Sequence, residues 1–166
     1  RKPEVAATAN INTERKFVDP QYLATFDIKL LAGRNLQPSD HIFLNDSLVK
    51  YNVLLNTKAI TELGYKTPYE AVGQEVVVGD KEKATIVGVT NDFFNVSLQK
   101  EITPCLLFYA TNWIDGASIR MDNNITSLNT LAAIESNWQS VYPDHIYKSM
   151  TLDYYMKHKA FYVIED

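Results

Sequence analysis

Tyr51-Asn52-Val53-Leu54-Leu55-Asn56-Thr57-Lys58-Ala59-Ile60-Thr61-Glu62-Leu63-Gly64 is the stretch on which the architecture turns. Residues 51–55 read as a buried strand, an apolar run short enough to be extended rather than helical. Asn56 follows where its side-chain oxygen can accept one of the orphan amide hydrogens of a helix over residues 57–63. Gly64 can close the far end of that helix. The unit is a strand feeding directly into a helix, with both caps present.

Working outward, Thr67-Pro68-Tyr69-Glu70-Ala71-Val72-Gly73 repeats the punctuation over one turn, with proline near the start and glycine after the end. Residues 74–78 and 83–89 are β-branched runs on either side of Gly79-Asp80, which predicts a β-hairpin. Pro104 precedes an apolar strand over residues 105–109, and a further strand is expected over 117–121. Leu128, Leu131, Ala132, Trp138 and Val141 recur near a 3.6-residue period, predicting a helix over 127–142 that Pro143 stops. A strand over 146–150 and a last helix capped by Thr151, carrying Tyr154, Tyr155 and Phe161, complete the C-terminal part. Upstream, residues 5–11 read as a short strand. Asp19-Pro20 predicts a short helix through Phe26 with Tyr22, Leu23 and Phe26 facing the core. Gly33-Arg34-Asn35 then breaks the pattern and opens a polar loop to Pro38-Ser39-Asp40. Hairpins mixed with crossovers make the fold class α+β.

Of the 166 residues, 46% are apolar and 22% charged, a balance that supports a packed core. A formal charge of -4 supplies no basic excess to neutralise phosphates, so no nucleic acid is expected as a partner. The longest apolar runs, such as residues 105–110, fall far short of the ~20 needed to cross a bilayer. Arg1-Lys2-Pro3-Glu4-Val5 lacks the apolar stretch of a signal peptide, so any export information is expected outside this sequence. A single cysteine, Cys105, excludes an intramolecular disulfide, and its apolar setting predicts burial.

Chemistry is sparse. His41, His145 and His158 occupy three unrelated contexts without zinc-ligand spacing, so no metal is expected. Gly88-Val89-Thr90-Asn91-Asp92 lacks phosphate-cradling spacing and reads as a strand end followed by a turn. Asp40, Asp46 and Asp80 do not follow a calcium-loop pattern and are expected as solvated turn residues. Two aromatic clusters stand out as candidate partner contacts: Phe93-Phe94 after a turn, and Tyr154-Tyr155 with Phe161-Tyr162 near the C-terminus. Core packing competes with that reading at each.

The run from Phe17 to Arg34, with Val18-Asp19-Pro20, Tyr22-Leu23 and Gly33-Arg34, resembles the opening of MacB-like periplasmic core domains of FtsX-like ABC transporter permeases. Val53-Leu54-Leu55-Asn56-Thr57 with Gly64, Ala71-Val72-Gly73-Gln74, Val87-Gly88-Val89 with Asp92-Phe93, and Ile102-Thr103-Pro104 continue the resemblance to about Tyr109. Beyond that point it rests on the order of elements. Only about 16 residues precede the opening run, fewer than the family often has. The resemblance implies a hairpin-containing subdomain, residues 17–103, inserted in a porter-like strand-helix-strand subdomain made of residues 1–16 and 104–166. The weakly patterned stretches 10–16 and 96–103 are the expected hinges.

It also implies a non-catalytic extracytoplasmic domain that couples membrane-helix motion to a substrate or periplasmic partner. The parent would be an inner-membrane protein, tethered at both ends of this domain and dimeric, with a cytoplasmic ATPase subunit as partner and no cofactor here. A stand-alone extracytoplasmic domain that binds a small ligand as a sensor is the alternative, and an enzyme using Cys105 or His145 ranks last.

Overall fold

In a computed structural model of the chain, the run at residues 51–56 is an interior strand of a six-stranded mixed sheet. The structure describes residues 11–42, 51–79, 82–94, 101–113, 116–121 and 127–158. The chain divides into two compact units, Arg1–Ser118 and Ile119–Asp166. The first contains β1 (Glu14–Val18), α1 (Tyr22–Thr25), β2 (Leu30–Gly33), β3 (Tyr51–Asn56), α2 (Thr57–Glu62), α3 (Pro68–Ala71), β4 (Glu75–Val78), β5 (Glu82–Thr90) and β6 (Cys105–Tyr109). The second contains α4 (Ser127–Val141) and α5 (Leu152–His158).

The strand order is β1-β6-β3-β5-β2, with β4 also paired to β5. β3 runs parallel to β5 and antiparallel to β6, while β1 and β6 are parallel neighbours. β3 and β6 are therefore covered on both edges and both faces, which is why they read as unbroken apolar runs instead of alternating ones. Val53, Leu55, Leu106 and Phe108 pack in one buried cluster with Ala59 and Ile60 of α2 and Ala71 of α3. Leu54, Cys105 and Leu107 pack in the other with Val18, Leu23, Ile28 and Leu36. Successive side chains of each strand thus serve opposite layers.

The expected caps form. Asn56 accepts a hydrogen bond from the Ala59 amide at 3.0 Å, and Gly64 adopts φ of 87° after α2. Thr67 accepts from the Glu70 amide at the start of α3. β4 and β5 make the expected hairpin, with Val78 opposite Glu82. Tyr22, Leu23 and Phe26 do pack on the core, but α1 starts at Tyr22 and not after Asp19. The Asp19 carboxylate instead accepts the Gln21 amide at 2.8 Å, closing a local turn ahead of the helix.

β1 and β2 were not read from the sequence. β1 opens with Glu14-Arg15-Lys16, a charged edge segment with no visible alternation, and β2 is four residues ending in glycine. Residues 14–16, within one expected hinge, are paired with Cys105, Leu106 and Leu107. The strands on either side of the expected inserted subdomain thus share one sheet with the strands inside it. All of the expected strand at 5–11 except Ile11 lies outside the described residues.

In the second unit, α4 runs over the expected helix, and Thr151 Oγ1 accepts the Tyr154 amide at 3.1 Å at the start of α5. Two expected strands, over 117–121 and 146–150, are not formed. Most of their side chains are exposed, and among the described residues neither has a ladder partner. Strand preference expresses itself only against cross-strand neighbours.

Candidate partner-contact surfaces

The aromatic residues singled out from sequence fall in different settings. Phe93 is half-buried against the cluster around Leu54, whereas Phe94 is 50% exposed. Tyr154 and Tyr155, on α5, are both exposed. Phe161 and Tyr162 lie outside the described residues. Phe93-Phe94 and Tyr154-Tyr155 belong to separate units.

The candidate reactive groups are held in structural roles. Cys105 is fully buried, and its backbone amide donates to Asn56 Oδ1 at 2.9 Å. Burial, reinforced by the nearby Cys105, pushes the Tyr22 hydroxyl up to about 12. His41 Nε2 accepts the Thr111 amide at 3.2 Å and lies 2.8 Å from Thr111 Oγ1. His145 packs edge-on against Tyr142 in the second unit. Among the described residues no group of three or more His, Cys, Asp or Glu side chains could hold a metal ion.

Asp40 corrects the sequence reading. It is buried, not a solvated turn residue, because a matching cation is brought to it. Arg34 donates from Nη1 at 2.6 Å and Nη2 at 2.9 Å, Asn52 Nδ2 donates at 2.7 Å, and the Gln37 amide at 2.8 Å. Burial alone would raise the Asp40 carboxyl. The hydrogen bonds from Arg34, Gln37 and Asn52, with the guanidinium charge, outweigh it and hold the group below the usual carboxylate range. Asp46 and Asp80 lie outside the described residues.

The segments that carry the sequence resemblance meet one another as joints of the fold. Gly33 and Gly88 are paired across β2 and β5, and the Arg34 amide donates to Val87 O at 2.9 Å. A Cβ on Gly88 would stand 2.4 Å from Arg34 O, so this close approach admits no side chain. Gly73 donates to Ile86 O, and Ile86 donates to Gln74 O. Asn56 joins three places at once: it caps α2, accepts the Cys105 amide and donates to Thr103 O at 2.9 Å. Asn91 accepts the Lys29 amide at 2.7 Å, and Asp92 accepts the Lys58 amide at 2.8 Å in the first turn of α2. Sequence reading took Asn91-Asp92 only as the end of a strand. Side-chain oxygens directly after a strand were the available signal.

Two half-open hollows of about 160 and 170 Å³ flank Phe17 on β1. The first is lined by Phe17, Asp19, Tyr22 and Phe26 among others. The second lies among Arg15, Phe17, Tyr51, Glu82, Phe108 and Trp113. Trp113 stacks on Phe17 with ring centres 5.8 Å apart.

A family model described as MacB-like periplasmic core domain matches residues 3–142. The chain belongs to that family. The fold of this MacB-like domain is similar to the crystal structure of the periplasmic region of MacB from Actinobacillus actinomycetemcomitans, with a TM-score of 0.54 at 17% identity over 79% of this chain and 57% of that one. The chain thus spans less than two thirds of that periplasmic region. A domain of a protein described as a permease from Porphyromonas gingivalis aligns with a TM-score of 0.49 at 17% identity, over 85% of this chain and 70% of that one. No curated protein matches the sequence. Within this MacB-like domain, no helix among the described residues is long and apolar enough to cross a membrane.

Proposed function

We propose that this MacB-like domain is the non-catalytic extracytoplasmic part of an ABC transporter permease. It stands outside the inner membrane, anchored by membrane helices at both of its ends. It couples their motion to an exported substrate or a periplasmic protein. ATP is bound and hydrolysed by a cytoplasmic ATPase subunit, which this domain reaches only through the membrane part of a dimeric parent. The family match over residues 3–142 is the observation that carries this reading. It is supported by the use to which the fold puts its polar residues: Asn56, Asn91, Asp92 and the Arg34–Asp40 pair fasten segments together. A close-packed interior fastened in this way moves as a unit and passes displacement on with little loss.

Phe94, Tyr154 and Tyr155 are the proposed contacts with the periplasmic partner, together with Phe161, while Phe93 anchors the Phe94 segment to the core. The side on which the domain stands is open to a direct test. In the full-length parent, Phe94→Cys provides an exposed thiol while the native Cys105 stays buried and silent. A maleimide that cannot cross the inner membrane should label Phe94→Cys in cells whose outer membrane alone has been permeabilised. Labelling that requires rupture of the inner membrane would place the domain in the cytoplasm and end the proposal.

A further inference from the structure

We infer that the parallel pair β1–β6 is a shear clamp that keeps the first unit folded when the chain is pulled between its entry to β1 and its exit from β6. The pair aligns Glu14 with Cys105 through Val18 with Tyr109, five matched positions, and the Glu14 amide adds a hydrogen bond to Pro104 O at 2.8 Å. The chain enters β1 at Glu14 and leaves β6 at Tyr109, which are opposite ends of two strands running the same way. A force applied between these points slides the strands along each other, so their hydrogen bonds are strained together. A force applied to matching ends would open them one after another. Summed barriers of this kind resist more force than the same bonds broken singly.

Two features strengthen the arrangement. On its inner edge β6 is held by β3 through Val53, Leu54 and Leu55 opposite Phe108, Leu107 and Leu106, so it cannot give way without the sheet. Past the end of β6, Trp113 folds back to stack on Phe17, pinning the exit of the chain to the strand at which it enters. The use made of the clamp, as protection against pulling by two membrane anchors, rests on the permease reading above. Its mechanics do not.

The experiment pulls single molecules of the whole 166-residue chain, with Cys105→Ala removing the native thiol, through pairs of exposed introduced cysteines. Asn12→Cys with Asn112→Cys loads the pair in shear, and Asn12→Cys with Glu101→Cys loads its matching ends. The shear attachment is expected to need about twofold more force or higher to open the first unit. Equal forces, or a higher force for the matching-end attachment, would overturn the clamp. Either result leaves the permease reading standing, since that reading fails instead on the cytoplasmic labelling outcome described above.

Discussion

Asp40 shows how the cost of burying a charged side chain is outweighed by the partners the fold brings to it. Its carboxylate is almost fully covered, while the Arg34 side chain that grips it stays 39% exposed. Exposure screens the pair, so its worth lies toward the lower end for charge-assisted bonds. Asp40→Asn should cost about 1–2 kcal/mol at neutral pH in urea unfolding, by turning an amide NH2 toward the guanidinium donors. The folded carboxyl titrates below its unfolded value of about 3.9. Its contribution is therefore complete above that pH and disappears as pH falls through the lower folded value. The stability gap between the native protein and Asp40→Asn should accordingly narrow below about pH 4. A gap that stayed constant down to pH 2 would show that the carboxylate charge carries none of the effect.

At the scale of elements, the contacts between strands depend on what a position lacks as much as on what it holds. Gly88→Ala would drive a methyl group into the backbone of the β2 end, 2.4 Å from Arg34 O, and should destabilise by about 2–3 kcal/mol. Asn56→Ala removes a helix cap and deletes the side-chain bonds to the Cys105 amide and the Thr103 carbonyl. A loss of about 2–4 kcal/mol is expected, with amide exchange quickening at Ala59 and Cys105. Unchanged exchange at Cys105 would contradict the three-way joint. The same elements mark what the sequence disclosed. β3, α2, the β4–β5 hairpin, β6 and α4 announce themselves through local signals, namely apolar runs, caps and period. β1 and β2 escaped because pairing with distant partners, not composition, makes them strands. The absent strands at 117–121 and 146–150 failed for the converse reason. Asp40 was misread because its burial depends on Arg34 and Asn52, six and twelve residues away, and sequence spacing does not say that a bidentate ion pair will close. The candidate contacts Phe94, Tyr154 and Tyr155 were legible as aromatics, while their exposure was not.

At the scale of the whole molecule, the proposed coupling requires unit Arg1–Ser118 to keep its shape while the permease moves it. Both claims can be read in one set of distances. In the full-length parent, reconstituted with its ATPase subunit in lipid discs, spin labels at Phe94→Cys report the separation between the domains of the two copies. A second pair, Asn12→Cys with Glu101→Cys, reports a separation inside one domain, and the buried Cys105 takes no label. Adding ATP should change the Phe94 separation and leave the internal distance as it was. A Phe94 separation indifferent to ATP, or an internal distance that shifts along with it, would contradict the proposed coupling by a rigid unit.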